Sequence, residues 1–363
     1  MTTRRILAAL AAGLLLAPAG ARAAAYDALY VFGDSLSDRG NLAETGYIQM
    51  LAGQPVTANY PNPPSNHDSF TNGPVALSLV ANRLGLAADP SLWVTGFHDI
   101  HNLFGGLAYT PGTNYAVAGA TSALQAVGGP SNINLPQQLS AYAAASGGVA
   151  DPNALYAVLI GGNDVRNAAL QGTGATAIPT GVGTEVSAVA SLVAAGARNL
   201  LVINVSDVGL IPEFTQDHPT LDASAHTLSA AYNTQLKVGL LSLVLPTGTA
   251  LFQFDLASFN DAVLANAAAL GFTNTTDRCY VATPLSATTN AACGTNAENI
   301  GQFIYWDSIH PTGRVQALWA EGALATLAGD PNPSPVPEPA TLLLLAAGLG
   351  AMATSRGNRN GRA

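Results

Sequence analysis

Near the end of its folded part the chain reads Tyr305-Trp306-Asp307-Ser308-Ile309-His310-Pro311, and near its start Val31-Phe32-Gly33-Asp34-Ser35-Leu36-Ser37. The first stretch offers an acid and an imidazole three residues apart. The second offers a hydroxyl directly after an apolar run. These are the three groups of a serine hydrolase. A serine hydroxyl is a weak nucleophile until a base takes its proton, and the base needs an acid to fix its tautomer and hold its charge. Asp307 and His310 can meet across one turn of chain, so acid and base preassemble locally. Of the six histidines, only His310 has this spacing from an Asp. His67, His98, His101, His218 and His226 read as surface or structural residues. His98 and His101 flank Asp99 without an obvious third ligand, so no metal and no cofactor is expected.

Ser35 by itself also suits a helix N-cap, as Ser, Asp and Asn all do. A helix starting there would aim its backbone N–H groups at a developing oxyanion. Further donors are needed, and two segments offer them. Ile160-Gly161-Gly162-Asn163-Asp164 places an amide after a strand, with glycines that let a substrate approach closely. Asn114-Tyr115-Ala116-Val117-Ala118-Gly119-Ala120 offers the N–H of Gly119 with no Cβ in the way. Each segment taken alone also reads as a plain turn.

The elements that must hold these groups follow from hydrophobic pattern. Continuous apolar runs bounded by turn residues predict buried parallel strands over 28–32, 115–118, 155–160, 200–205 and 250–254. Helical stretches are expected over 74–86, 135–145, 183–197, 223–245, 258–270 and 313–327. Strands alternating with helices predict an α/β fold: a parallel sheet covered on both faces. Ligands then sit beyond the carboxyl ends of the strands, the edge to which Ser35 and Asn163 both belong. Residues 272–302, rich in Thr, Asn and Ala, read as a long loop.

Taken in order, the four segments resemble the conserved blocks of the GDSL esterases and lipases, the SGNH hydrolases. The resemblance runs from about Tyr26 to Leu327. Gly33-Asp34-Ser35-Leu36 matches the nucleophile block and Asp307-Ser308-Ile309-His310 the acid–base block. Gly119 and Asn163 match the oxyanion residues, beside the Ser35 N–H. The Gly119 block reads Ala-Gly-Ala where many members have Gly-Gly-Ala. The family implies a three-layer α/β/α sandwich with a central parallel sheet, flavodoxin-like, and an acyl-enzyme on Ser35. The same intermediate serves carboxylesterases, lipases, phospholipases and acyltransferases. A scaffold protein that kept the fold without catalysis would have been expected to lose Ser35, Asn163 or His310.

The two ends carry a different message. Residues 1–25 combine Arg4 and Arg5, an apolar run from Ile6 to Leu16, and small residues around Ala23, the pattern of a secretory signal. The domain then spans 26–329. A Pro-rich linker with Val336-Pro337-Glu338-Pro339 fills 330–339, and an apolar run with a basic end fills 340–363. This tail is similar to a PEP-CTERM sorting signal, which implies export and sorting machinery as partners. The implied destination runs from the periplasm to the cell surface or matrix of a Gram-negative bacterium. An ester in that matrix, such as an O-acetylated polysaccharide, is the polymer substrate expected; a small-molecule ester is the alternative.

Composition narrows the rest. The chain is 48% hydrophobic and only 10% charged, against about 25% charged in a typical soluble protein. Six of its 13 basic residues lie in the two ends, whereas all 22 acidic ones lie between Asp27 and Glu338. Between the ends, 7 basic residues face 22 acidic ones, a net charge of −15. Phosphate contacts need Lys and Arg, so nucleic acid is excluded as a partner. An exported chain with two cysteines is expected to pair them, Cys279 with Cys293.

Overall fold

The structure, a computed structural model, describes residues 26–42, 69–91, 112–123, 133–283, 286–289, 293–294, 297–329 and 331. The secretory signal, the linker apart from Pro331, the sorting tail, His67, His98 and His101 lie outside these residues.

Four of the apolar runs form a parallel sheet. The strands are β1 (Leu29–Gly33), β2 (Leu155–Leu159), β3 (Asn199–Ile203) and β4 (Ala250–Phe254), in the order β1-β2-β3-β4. They run in step, Leu29 beside Leu155, Leu155 beside Asn199 and Asn199 beside Ala250. Every residue of β2 is buried. A parallel strand covered on both faces has no solvent side, so its sequence shows a continuous apolar run rather than alternation.

The run expected as a strand at 115–118 is not one. It follows the free edge of β1, where Tyr115 N–H donates to the Val31 carbonyl (2.7 Å) and Val117 N–H to that of Gly33 (3.1 Å). Its other side is occupied by side chains. Asn41 Nδ2 donates to the carbonyls of Asn114 and Ala116, each at 2.8 Å, and Asn114 Oδ1 accepts from Ala116 N–H. Polar side chains thus supply the bonds a further strand would have supplied. The segment then turns, with Ala120 N–H donating to the Val117 carbonyl.

Helices cover both faces in the three-layer α/β/α arrangement. One group is α2 (Leu135–Ser146), α3 (Gly162–Gln171), α4 (Gly174–Ala195) and α5 (Asp222–Leu241). The other is α1 (Ala76–Arg83), α6 (Leu256–Ala265) and α8 (Gly313–Ala328). A capping box of Asn134 and Gln137 starts α2. Gln138 then grips the end of β1 twice, accepting from Gly33 N–H at 2.9 Å and donating to its carbonyl at 2.8 Å. The helix expected over 183–197 starts nine residues earlier and carries Pro179 inside it. Helix α3 was not anticipated.

The described parts of 272–302 carry more secondary structure than a long loop would. Strand β5 (Asn274–Arg278) pairs in parallel with β8 (Phe303–Tyr305), β6 (Tyr280–Thr283) forms a hairpin with β7 (Ser286–Thr289), and a short α7 spans Ala297–Ile300. Cys279 and Cys293 are joined by a disulfide and buried with Tyr280, Ile300, Phe303 and Trp306. Trp306 stacks flat on Tyr280, ring centres 5.2 Å apart, and directly precedes Asp307. The bridge closes a loop of sequence separation 14, which chain-entropy arguments value at about 3 kcal/mol. The double substitution Cys279→Ser, Cys293→Ser is expected to lower thermal stability by that order. An unchanged melting temperature would show that packing alone orders the segment.

Candidate active site

Ser35 lies at the carboxyl end of β1, in a tight turn rather than at the start of a helix. The Asp34 carbonyl accepts from Ser37 N–H (3.0 Å) and Asp38 N–H (2.9 Å), and helical residues begin only at Asn41. The same small polar residues that cap helices also build turns, which is why sequence pattern misplaced the helix. Two buried carboxyls shape the turn. Asp34 Oδ1 accepts from Leu36 N–H at 3.0 Å. Burial pushes the Asp34 carboxyl up to about 7, against the pull of that N–H and of His310. Asp38 accepts from four backbone N–H groups, those of Gly40, Asn41, Leu42 and Ala118, at 2.7 to 3.1 Å. Burial still raises it to about 6. Through Ala118 it fixes the segment that carries Gly119.

Gly119 has φ 79°, a left-handed conformation that suits glycine. Its neighbour Ala120 accepts from Asn163 Nδ2 at 2.9 Å, so the Gly119 and Asn163 segments are tied together. Asn163 stands in the first turn of α3, which Gly161 opens at φ 105°. A Cβ on Gly161 would collide with the Tyr232 ring, so glycine is required there on two counts.

Asp307 and His310 lie in the connection between β8 and α8. Asp307 Oδ1 accepts from Ile309 N–H (2.8 Å) and His310 N–H (2.7 Å). His310 Nδ1 lies 2.8 Å from Asp307 Oδ2, and its Nε2 lies 2.8 Å from Ser35 Oγ, across 275 residues of sequence. Burial alone would raise the Asp307 carboxyl. The charge and hydrogen bond of His310 and the two backbone N–H groups outweigh it and hold the group below its ordinary value. Trp306 N–H closes the loop onto the His310 carbonyl at 2.8 Å, and Phe70 packs beside the imidazole. Of the other histidines described, His226 pairs with Asp207 at 2.7 Å, and His218 lies near Phe214.

A buried polar chain beside the Gly119 and Asn163 segments has no sequence signature. Ser122 N–H donates to Asp164 Oδ2 at 2.8 Å, Ser122 Oγ meets Tyr232 OH at 2.6 Å, and Tyr232 OH donates to Glu185 Oε2 at 2.6 Å. Burial pushes Asp164 to about 6 and Glu185 to about 8. Glu185 sits mid-helix among small and apolar residues, where a lone acid normally marks the solvent face. The helical period places it inward, and Gly181, one turn earlier, leaves the room: a Cβ there would meet Asp164.

The GDSL-like Lipase/Acylhydrolase family model matches residues 29–323, and the PEP-CTERM protein-sorting motif matches residues 335–359. The chain is 26% identical over 333 residues to acetylajmalan esterase 2 of Rauvolfia serpentina, covering 79% of this chain and 86% of that one. It is 32% identical over 193 residues to lipase 1 of Photorhabdus luminescens, covering 53% of this chain and 24% of that one. An acetylxylan esterase structure from Geobacillus stearothermophilus aligns with a TM-score of 0.39 at 10% identity, over 85% of this chain and 96% of that one. The sorting motif implies export to the cell envelope or exterior of a bacterium. A family match over most of the described domain makes this chain a member of the GDSL-like lipases and acylhydrolases, an enzyme that hydrolyses esters.

Proposed function

We propose that Ser35 is the nucleophile of an exported serine esterase, with His310 as its base and Asp307 as the acid that orients it. The observation that carries this reading is the 2.8 Å separation of Ser35 Oγ from His310 Nε2, with Asp307 on the opposite ring nitrogen. Ser35 Oγ attacks the ester carbonyl as His310 takes its proton. The tetrahedral oxyanion is met by the N–H groups of Ser35 and Gly119 and by the Asn163 amide. That amide carries two hydrogens, and the bond to Ala120 fixes one of them and so aims the other. His310 returns the proton to the leaving alcohol. Water activated by His310 then releases the acid from Ser35.

Asn163→Ala is expected to lower kcat about 100-fold, the usual effect of losing one oxyanion donor. Steady-state ester hydrolysis measures it; an effect below about threefold would remove Asn163 from the hole. The direct test of the nucleophile is a serine-directed fluorophosphonate, followed by mass mapping. The adduct is expected on the peptide holding Ser35 and on no other serine. The sorting motif supports a location from the periplasm to the cell surface or matrix of a Gram-negative bacterium, which cell fractionation would test.

A further inference from the structure

We infer that the Arg166–Glu213 ion pair is a positioning device, which sets the place of Asn163 relative to His310 by clasping α3 to the β8–α8 connection. The inference rests on the roles proposed for Ser35, His310 and Asn163. Arg166 stands three residues after Asn163 on α3, so the two side chains share a helix face. Both line the cavity that Ser35 lines. The Arg166 guanidinium donates from Nε to Glu213 Oε2 and from Nη2 to Glu213 Oε1, each at 2.5 Å. A two-pronged pair of this kind fixes direction as well as distance.

Glu213 faces two ways. Its side chain holds Arg166, and its backbone N–H donates to the Ser308 carbonyl at 2.9 Å. Ser308 lies between Asp307 and His310 in the β8–α8 connection. Glu213 also opens a single π-helical turn, Glu213–Asp217, closed by His218 N–H on the Glu213 carbonyl. Such turns are rare and recur at functional sites. The far end of the turn is anchored on β5. Gln216 Nε2 donates to the Thr276 carbonyl at 2.8 Å, and Arg278 donates to both oxygens of the Asp217 carboxylate. Strand β5 pairs with β8, the strand that leads into Asp307. The turn thus spans from the helix of Asn163 to the connection of His310 and to the strand pair that feeds it. Glu213 is buried, and a buried ion pair adds little stability over apolar residues of similar volume. What apolar residues do not supply is a fixed direction, and a displacement of about 1 Å at a reacting group can cost about 100-fold in rate.

The test is steady-state hydrolysis of p-nitrophenyl butyrate by the full chain carrying Arg166→Met together with Glu213→Leu, and separately by Arg166→Lys. The double variant removes both charges, so neither is left buried alone, and it is expected to melt at or above the wild-type temperature. Its kcat is expected to fall at least about tenfold while KM changes less than about threefold. Arg166→Lys keeps the charge and loses the fork, and its kcat is expected to fall at least about threefold. The Lys variant decides the matter if the double variant does not fold. A folded double variant with kcat within about threefold of wild type, or a Lys variant with wild-type kcat, would overturn the clasp. So would an effect confined to KM, which would make Arg166 a substrate contact. Fluorophosphonate labelling of the wild type keeps the two readings apart. No adduct on Ser35 overturns the nucleophile, whereas an adduct on Ser35 beside an unaffected kcat overturns the clasp alone.

Discussion

Ser35→Ala is expected to lower kcat by about five orders of magnitude and leave the fold intact. The size follows from the proposed roles: the donors that would meet the oxyanion remain, with no oxygen to form an acyl-enzyme. The small effect on folding follows from the contacts. The Ser35 hydroxyl is bonded to His310 Nε2, while the turn around it is held by Asp34, Asp38 and backbone bonds. Residual turnover measured on a preparation free of wild-type enzyme, with circular dichroism as the folding control, gives the answer. A loss of less than about 100-fold would mean that water is activated directly and that Ser35 is not the nucleophile.

Asp307→Asn is expected to cost about 10⁴-fold in kcat at neutral pH. The carboxylate accepts from His310 Nδ1–H, which leaves Nε2 free to take the serine proton. An amide presenting its NH₂ to Nδ1 reverses this, placing the imidazole proton on Nε2, where it faces Ser35. The same carboxylate also holds the loop through Ile309 and His310 N–H. Because the folded protein keeps this carboxyl below its ordinary value, its stabilising contribution is present above the unfolded value of about 3.9. It is lost as pH falls through the lowered one. The wild type is therefore expected to be more stable than Asp307→Asn at pH 7, with the difference shrinking as the solution is acidified below pH 4. Thermal unfolding of both proteins across that range measures it. A difference that stays constant would mean the carboxylate is not selectively stabilised in the folded state.

What the sequence disclosed was set by periodicity and local spacing. Strands β1 to β4 were legible because burial on both faces leaves unbroken apolar runs such as Leu155–Leu159. The Asp307–His310 contact was legible because the two residues meet within four positions. Strand β5 was not, since Asn274-Thr275-Thr276-Asp277-Arg278 has no buried residue and carries no apolar run, and β8, though apolar and buried, is only three residues long. Helix α3 was hidden by its opening Gly162-Asn163-Asp164, residues that mark turns as readily as helix starts. The chain Ser122–Tyr232–Glu185 joins three distant segments, and the pocket beside Ser35 joins the turn after β1 with α3, α6 and α8. Neither exists until the layers close.

The distance in sequence between Ser35 and His310 gives the enzyme a history as well as a geometry. Ribosomes add roughly 5–20 residues per second, so the Ser35 hydroxyl is made some tens of seconds before the imidazole that, on the proposed roles, activates it. During that interval Ser35 is an ordinary alcohol, whatever esters surround it. Strands β1 to β4 can assemble into their parallel sheet, yet on the proposed roles the chain stays inert until its last helix docks and brings the β8–α8 connection across. Hydrolytic power is thus the final property the polypeptide acquires, and its appearance marks completion of the domain.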